Sequence, residues 1–344
     1  MKENHPASHW LFAIEEAPVF AAVTRNGATK YLAAPHRKAL IAADSGRIVG
    51  IVGDGYRVFT NQQAVDLCQQ FCRDAFPDTT PSEWIYELGH GPSTRSWAAM
   101  DIRHRSHTMN LMGIQGGESE IYTPFARITN SYNGSRALRI DVGFMRKHCE
   151  NGVIFEQQAA TVSVPHTREG IHAIKVASPF SGMAALCDKF RETLNGVRAV
   201  GVTRDEARSL VRMVIGWPQL SENAKPMERS DQEALDADLE SRLQGYLHEL
   251  GENAYAAFNT MTDIAARPPQ SNRFRRDRPN LERRAGAWLR DFNDVASRPG
   301  FTIPGHLKEL AGGQSPLRRP SPQPTRTSEE RDNRLATSTR SWRG

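Results

Sequence analysis

Between Asn130 and Gly152 the chain reads NSYNGSRALRIDVGFMRKHCENG, where Arg136, Arg139, Arg146, Lys147 and His148 outnumber two carboxylates, Asp141 and Glu150. Three chemistries could use such residues: a Cys–His nucleophile, a metal-ligand set, or a cationic surface for a polyanion. Cys149 directly follows His148, and neighbouring side chains on a helix point about 100° apart, so the two share no hydrogen bond. Cys149 reads as packing. A metal site needs three or four converging ligands. His104 and His107 sit in RHRSH between arginines that repel a cation, and the chain has neither HExxH nor a paired CxxC. No metal and no cofactor is expected. Asp101, Glu118, Glu120 and Asp141 are strand-adjacent carboxylates without the pattern of a catalytic pair. GDGY (53–56) and MGIQGGE (112–118) lack the Gly-Lys-Ser/Thr ending and the surrounding βαβ unit of nucleotide loops.

The polyanion surface is what the residue types favour. In RALRIDVG, a period of two puts Arg136, Leu138, Ile140 and Val142 on one strand face and Ala137, Arg139 and Asp141 on the other. Arg139 is therefore expected in solvent, with Arg127 on the partner strand and Arg146 and Lys147 on the next turn. Guanidinium forks fit phosphates, and several on one surface bind a backbone without reading sequence. Tyr132 at the hairpin tip and Tyr56 are expected as stacking platforms for bases. Arg273, Arg275, Arg276, Arg278, Arg283 and Arg284 are expected to add an electrostatic arm. Residues 268–344 hold sixteen Lys/Arg against eight Asp/Glu, while the remaining chain carries a net charge of −3. That asymmetry points to an anionic partner at the C-terminal end.

These residues need elements to position them. The 344 residues, 39% hydrophobic and 24% charged, are ordinary globular composition. No run of 18 apolar residues spans a membrane and the N-terminus has no signal-like apolar core, so a cytoplasmic protein is expected. Cys68 and Cys72 lie one turn apart in VDLCQQFC and read as helix packing. Short strands are expected over 19–60, with a turn at RNG and a hairpin or bulge at Gly53-Asp54-Gly55. Thr60-Asn61 then starts the helix NQQAVDLCQQFCRDAF. EWIYELG, STRSWAAMDIRHRS and EIYTPFARITNSYNGSRALRIDVG follow as strands, the last folded at Asn133-Gly134. GFMRKHCENG reads as a short helix stopped at Asn151-Gly152, and VIFEQQAATVSVPH as a strand pair. After Ser178 the period becomes helical. Capping boxes at Thr203/Glu206 and Ser230/Glu233 start two of the helices. The fold class is α+β: an antiparallel β-rich domain over 1–177, a helical region over 178–311 packing on it, and a basic tail over 312–344 too polar to order.

NSYNGSRALRIDVGFMRKHCENGVIF with the following VSVPH resembles the Asn-Ser-His-Asp-Gly-Ser … Arg-x-x-Cys-x-Asn-Gly block of a phage- and plasmid-borne family, domain of unknown function nine-three-two. GIVGDGYRVFTNQQAVDLCQQF is similar to that family's N-terminal strand, Tyr and Asn-led helix. ENAYAAFNTMTDIAAR is similar to its C-terminal helix, with Asn253, Asn259 and Thr262 at the matching polar positions. The likeness runs over roughly residues 15–300. Tyr132 and Asn133 stand where the family commonly has His and Asp, so a catalytic role for that pair would not carry over. Membership implies a home on mobile elements in bacteria. The order of strand, Tyr, Asn-led helix and antiparallel strands also resembles single-strand annealing proteins of the Rad fifty-two type, in which a basic groove beside the sheet holds a DNA strand.

The expected function is therefore non-catalytic binding of nucleic acid, single-stranded DNA first, in recombination, replication or protection of mobile-element DNA. Two other classes stay open: a metal-dependent nuclease or other DNA-modifying enzyme using His104, His107 or His148 with Asp101 or Asp141, and an interaction protein that inhibits a host defence factor. Self-association stays open as well. No membrane partner is expected.

Overall fold

The computed structural model describes residues 7–75, 80–104, 109–111, 120–146, 151–155, 161–176, 183–271, 273–274 and 276–312. Its first strands follow from an Asn-Gly turn between β-type runs. β1 (Ile14–Arg25) and β2 (Ala28–Ala42) meet at Asn26 and Gly27, with φ of 51° and 77°. Positive φ at both central positions is the condition for a two-residue hairpin whose twist matches its strands. β3 (Arg47–Gly53) pairs only with the C-terminal part of β2, from Arg37 to Ala42. Residues 20–25 and 28–33 therefore continue past the three-stranded base as a ribbon of two strands, almost every side chain exposed. Between base and ribbon, Val19 alone opposes residues 34–37 of β2. The base packs Leu40, Ala42, Val49 and Val52 against Phe12 and Tyr132. Gly50 permits this: a Cβ there would stand 2.0 Å from the Tyr132 carbonyl oxygen.

The second sheet holds seven antiparallel strands, β4 (Trp84–His90), β5 (Trp97–His104), β6 (Met109–Leu111), β7 (Glu120–Ser131), β8 (Leu138–Arg146), β9 (Asn151–Ile154) and β10 (Thr161–Val164). Their order is β10-β8-β7-β5-β4, with β6 beside β7 and β9 beside β8. Register puts Met100, Ile128 and Ile140 in one row and Ile102, Ala126 and Val142 in the next. α1 (Asn61–Ala75) packs on this sheet, contributing Cys68 and Phe71 to the same core. Phe190 of α3 (Met183–Ala199) stacks on Phe144 at 4.0 Å.

The other described helices are α2 (Arg168–Val176), α4 (Arg204–Ile215), α5 (Pro226–Leu250), α6 (Ala254–Ala266), α7 (Arg278–Ala296) and α8 (Ile303–Ala311). α6 is buried from Ala254 to Ala265 between α3, α4, α5, α7 and β9, as suits a helix that is mostly apolar all round. Its polar residues turn inward: Asn259, Thr260 and Thr262 donate to carbonyls of α6 itself, and Asn253 caps it by accepting from Ala256 N–H. α7 crosses β9 at Gly286, where a Cβ would meet the Ile154 carbonyl oxygen at 1.7 Å. No helix among the described residues is long and apolar enough to cross a membrane.

The expected α+β architecture is the observed one, and four local expectations differ. β7 and β8 are joined by six residues rather than a tight Asn-Gly turn. Gly143–Arg146 continues β8, and Asn151-Gly152 lies inside β9, so the expected helix at GFMRKHCENG is strand at both ends. α5 begins at Pro226, one turn before the expected Ser230 cap, with Glu228 accepting from Lys225 N–H. α2, unforeseen, starts after Thr167, whose hydroxyl accepts from Gly170 N–H. Residues 147–150, including Lys147, His148 and Cys149, lie outside the described residues, as do Arg105, His107, Glu118, the 112–118 segment, Arg275 and 313–344.

Candidate functional site

The two tyrosines proposed to stack on bases are structural. Tyr132 is buried, and its hydroxyl accepts from Asn61 N–H at 2.9 Å, fixing the start of α1. Burial pushes the phenol up to about 12. Asn130 donates to Phe59 O and to Asn61 Oδ1, both at 2.8 Å, and Asn61 Nδ2 donates to Trp10 O. Tyr56 donates its hydroxyl proton to the Ser131 carbonyl and stacks on His166 at 4.6 Å. The Gly-Asp-Gly-Tyr and Asn-Ser-Tyr-Asn-Gly motifs thus meet each other and tie the N-terminal sheet, α1 and the central sheet into one node.

The arginines do gather, on a covered face. Asp101, Arg127 and Asp141 are direct cross-strand neighbours on β5, β7 and β8, with Thr161 of β10 completing the row. Arg127 has no exposed side-chain surface. It grips Asp101 with two hydrogen bonds of 2.6 Å and also binds Glu282 of α7. Arg278 reaches Glu282 at 2.7 Å, Arg139 reaches Asp141 at 2.7 Å, and Arg283 lies 3.6 Å from Asp141. Arg136 pairs with Asp277, the cap of α7, at 3.1 Å and lies over the Trp97 ring at 3.7 Å. Burial would raise the Asp101 carboxyl, but the charge and hydrogen bonds of Arg127 hold it below its ordinary 3.8. Arg139 was expected in solvent because period two opposes it to Leu138 and Ile140; the opposition is real, but α7 covers that face. Each guanidinium here already contacts a carboxylate, five arginines sharing four, and only Arg136 and Arg283 keep more than about a fifth of their side chains exposed.

Arg146 stands apart, bound to Glu249 of α5 at 2.7 Å and 3.5 Å from Glu120. Around Glu120 the fold assembles a second polar cluster the motifs did not foretell. Tyr255 donates to Glu120, the Tyr122 and Tyr255 hydroxyls are 2.7 Å apart, and Arg198 lies 3.4 Å from Glu120 and over the Tyr255 ring. Burial raises the Tyr255 phenol well above its ordinary value. Of the expected C-terminal arm, Arg276 and Arg284 donate to the Gly216 and Val214 carbonyls that end α4, and Arg273 donates to Gln219 O. They satisfy a helix terminus. His104 packs edge-on against Trp84 at 4.9 Å. Among the described residues no group of three or more His, Cys, Asp or Glu is placed to hold a metal ion.

The open charge lies elsewhere. From Val19 to Arg37 the ribbon and its bulge carry Arg25, Lys30 and Arg37 and no acidic residue. All three are exposed, and none has a carboxylate partner among the described residues. Tyr31 and Phe20, 73% and 55% exposed, lie on the ribbon face opposite Arg25 and Lys30 in the antiparallel register. Exposed Arg57 donates its N–H to His166 O at 2.9 Å.

The geometry defines an α+β protein with an exposed β-arm carrying cations and aromatic rings and a largely covered arginine–carboxylate face. The family model described as Domain of unknown function (DUF932) matches residues 48–288, more than half of the chain, and the chain belongs to that family. No curated protein and no solved structure matches it.

Proposed function

We propose that this protein binds single-stranded nucleic acid without catalysis, and that the binding surface is the β1–β2 ribbon rather than the Asn130–Gly152 segment. One observation carries the reading: Arg25, Lys30 and Arg37 are exposed and unneutralised among the described residues, on a ribbon whose opposite face exposes Phe20 and Tyr31. Cations that track a backbone and rings that stack on bases are what sequence-independent single-strand binding requires. A ribbon with no core of its own can lie along a flexible strand. The working context is DNA of a phage or plasmid, met in the bacterial cytoplasm during recombination, replication or protection.

The test is fluorescence anisotropy with a labelled single-stranded oligonucleotide across a salt series. Each phosphate contact to a single strand contributes about 0.7 to the slope of log affinity against log salt. Replacing Arg25, Lys30 and Arg37 together with Gln should flatten that slope by about 2, whereas Arg136→Gln with Arg139→Gln should leave it unchanged. The opposite ranking overturns the assignment.

A further inference from the structure

Two rings and two methyl groups share one face of the β1–β2 ribbon. The register sets Phe20 opposite Ala33 and Ala22 opposite Tyr31. Directly opposed residues point to the same face, so the four form a square with the rings on one diagonal and the alanines on the other. Diagonal positions in such a pair lie about 7–8 Å apart. One flat group held between two rings needs about 7 Å, two carbon–carbon contacts of about 3.5 Å each. The rings therefore stand at the spacing of a slot one aromatic layer thick, and the alanines, which end at Cβ, leave it unfilled. Both rings are exposed, and neither makes a ring contact among the described residues.

We propose that Phe20 and Tyr31 close on a single nucleobase and hold it between their rings. The inference rests on the nucleic-acid reading of the ribbon and deepens it by naming what the arm takes: a base that is unpaired and out of its stack, because both of its faces must be bare. The surroundings of the slot select this occupant. From Val19 to Arg37 the chain carries no acid, and Arg25 and Lys30 lie on the opposite face. An uncharged aromatic partner has no use for these cations, whereas a nucleotide brings a ring for the slot and a phosphate for the charge. The ribbon also leaves a path between its faces. β3 pairs with β2 only from Arg37 onward, so over residues 20–33 both outer edges carry backbone N–H groups without a ladder partner. Such groups donate to phosphate oxygens as a strand passes over an edge.

The experiment measures anisotropy of the full-length protein with two labelled oligonucleotides of equal length, an oligothymidylate and a chain of abasic residues carrying the same phosphates. Phe20→Leu and Tyr31→Leu should each weaken thymidylate binding about fivefold or more. The double variant should be no more than about twofold weaker than the worse single variant, because a slot that has lost one wall no longer holds the base. All four proteins should bind the abasic chain equally and with one salt slope, which also shows the ribbon intact. A single 2-aminopurine within the thymidylate should be quenched on binding the parent and not on binding either single variant. Losses that multiply in the double variant would make the rings independent platforms and overturn the slot. So would an equal loss on the abasic chain, no loss at all, or a quench that survives in both single variants. In those cases the cationic reading stands if replacing Arg25, Lys30 and Arg37 with Gln still flattens the salt slope. An unchanged slope, or no binding of either oligonucleotide, overturns both.

Discussion

Arg127→Met separates a structural arginine from a phosphate-binding one. In the native protein the guanidinium is fully buried and holds Asp101 through two 2.6 Å hydrogen bonds while also binding Glu282. After substitution Glu282 keeps Arg278 at 2.7 Å, but Asp101 loses both hydrogen bonds in a dry site. Removing one partner of such a pair costs about 3–5 kcal/mol. Urea unfolding measures it. Adding Asp101→Leu should recover at least about 2 kcal/mol, because replacing both partners by apolar groups is far less costly than leaving one unpaired. The pH response should change sign. In the parent the Asp101 carboxyl is held below 3.8, so its stabilisation is present above that pH and is lost as pH falls through the folded value. In Arg127→Met burial is opposed only by the more distant charges of His90 and Arg278, so the carboxyl should rise and stability should instead fall as pH rises above 3.8. A stability loss under about 1 kcal/mol, combined with a flatter salt slope for oligonucleotide binding, would refute the structural role.

Gly286→Ala should destabilise by about 3 kcal/mol or more in urea, because its methyl would overlap the Ile154 carbonyl and force α7 off β9. Burial lowers the His166 imidazole below its ordinary 6.5, so its contribution is complete above that pH and lost as pH falls toward the folded value. His166→Phe, which can keep the stack on Tyr56, should therefore flatten the decline in urea midpoint between pH 7.5 and 5. His104 and His306, also lowered by burial, should leave part of that decline in place.

What was legible in the sequence was local. Period two located β7 and β8 and correctly set Arg139 and Asp141 opposite Leu138 and Ile140. Thr203 and Glu206 form the capping box they spell. Cys68 and Cys72 are the buried helix packing their spacing implies. Partnership over long distances was not legible. Arg127 finds Asp101 26 residues away and Glu282 155 residues away, and no local pattern reveals that α7 will lie across a strand face that alternation alone leaves wet. Tyr132 and Tyr56 are expected as stacking platforms, but the connection after β7 folds Tyr132 back on the start of α1, and Tyr56 is held by the Ser131 carbonyl and the His166 ring. The ribbon did leave a signal: nineteen residues from Val19 to Arg37 without an acid, turning at Asn26-Gly27. It was outweighed by the denser cation count near residue 140, where the neutralising carboxylates come from distant parts of the chain.

Photo-crosslinking of the full-length protein to a 5-iodouracil oligonucleotide, followed by peptide mapping, tests the central claim most directly. The account predicts crosslinks at Tyr31 and Phe20 within 19–37 and none within 130–146. Crosslinks concentrated at Tyr132 or along Arg136–Arg146, with the ribbon unlabelled, would contradict it.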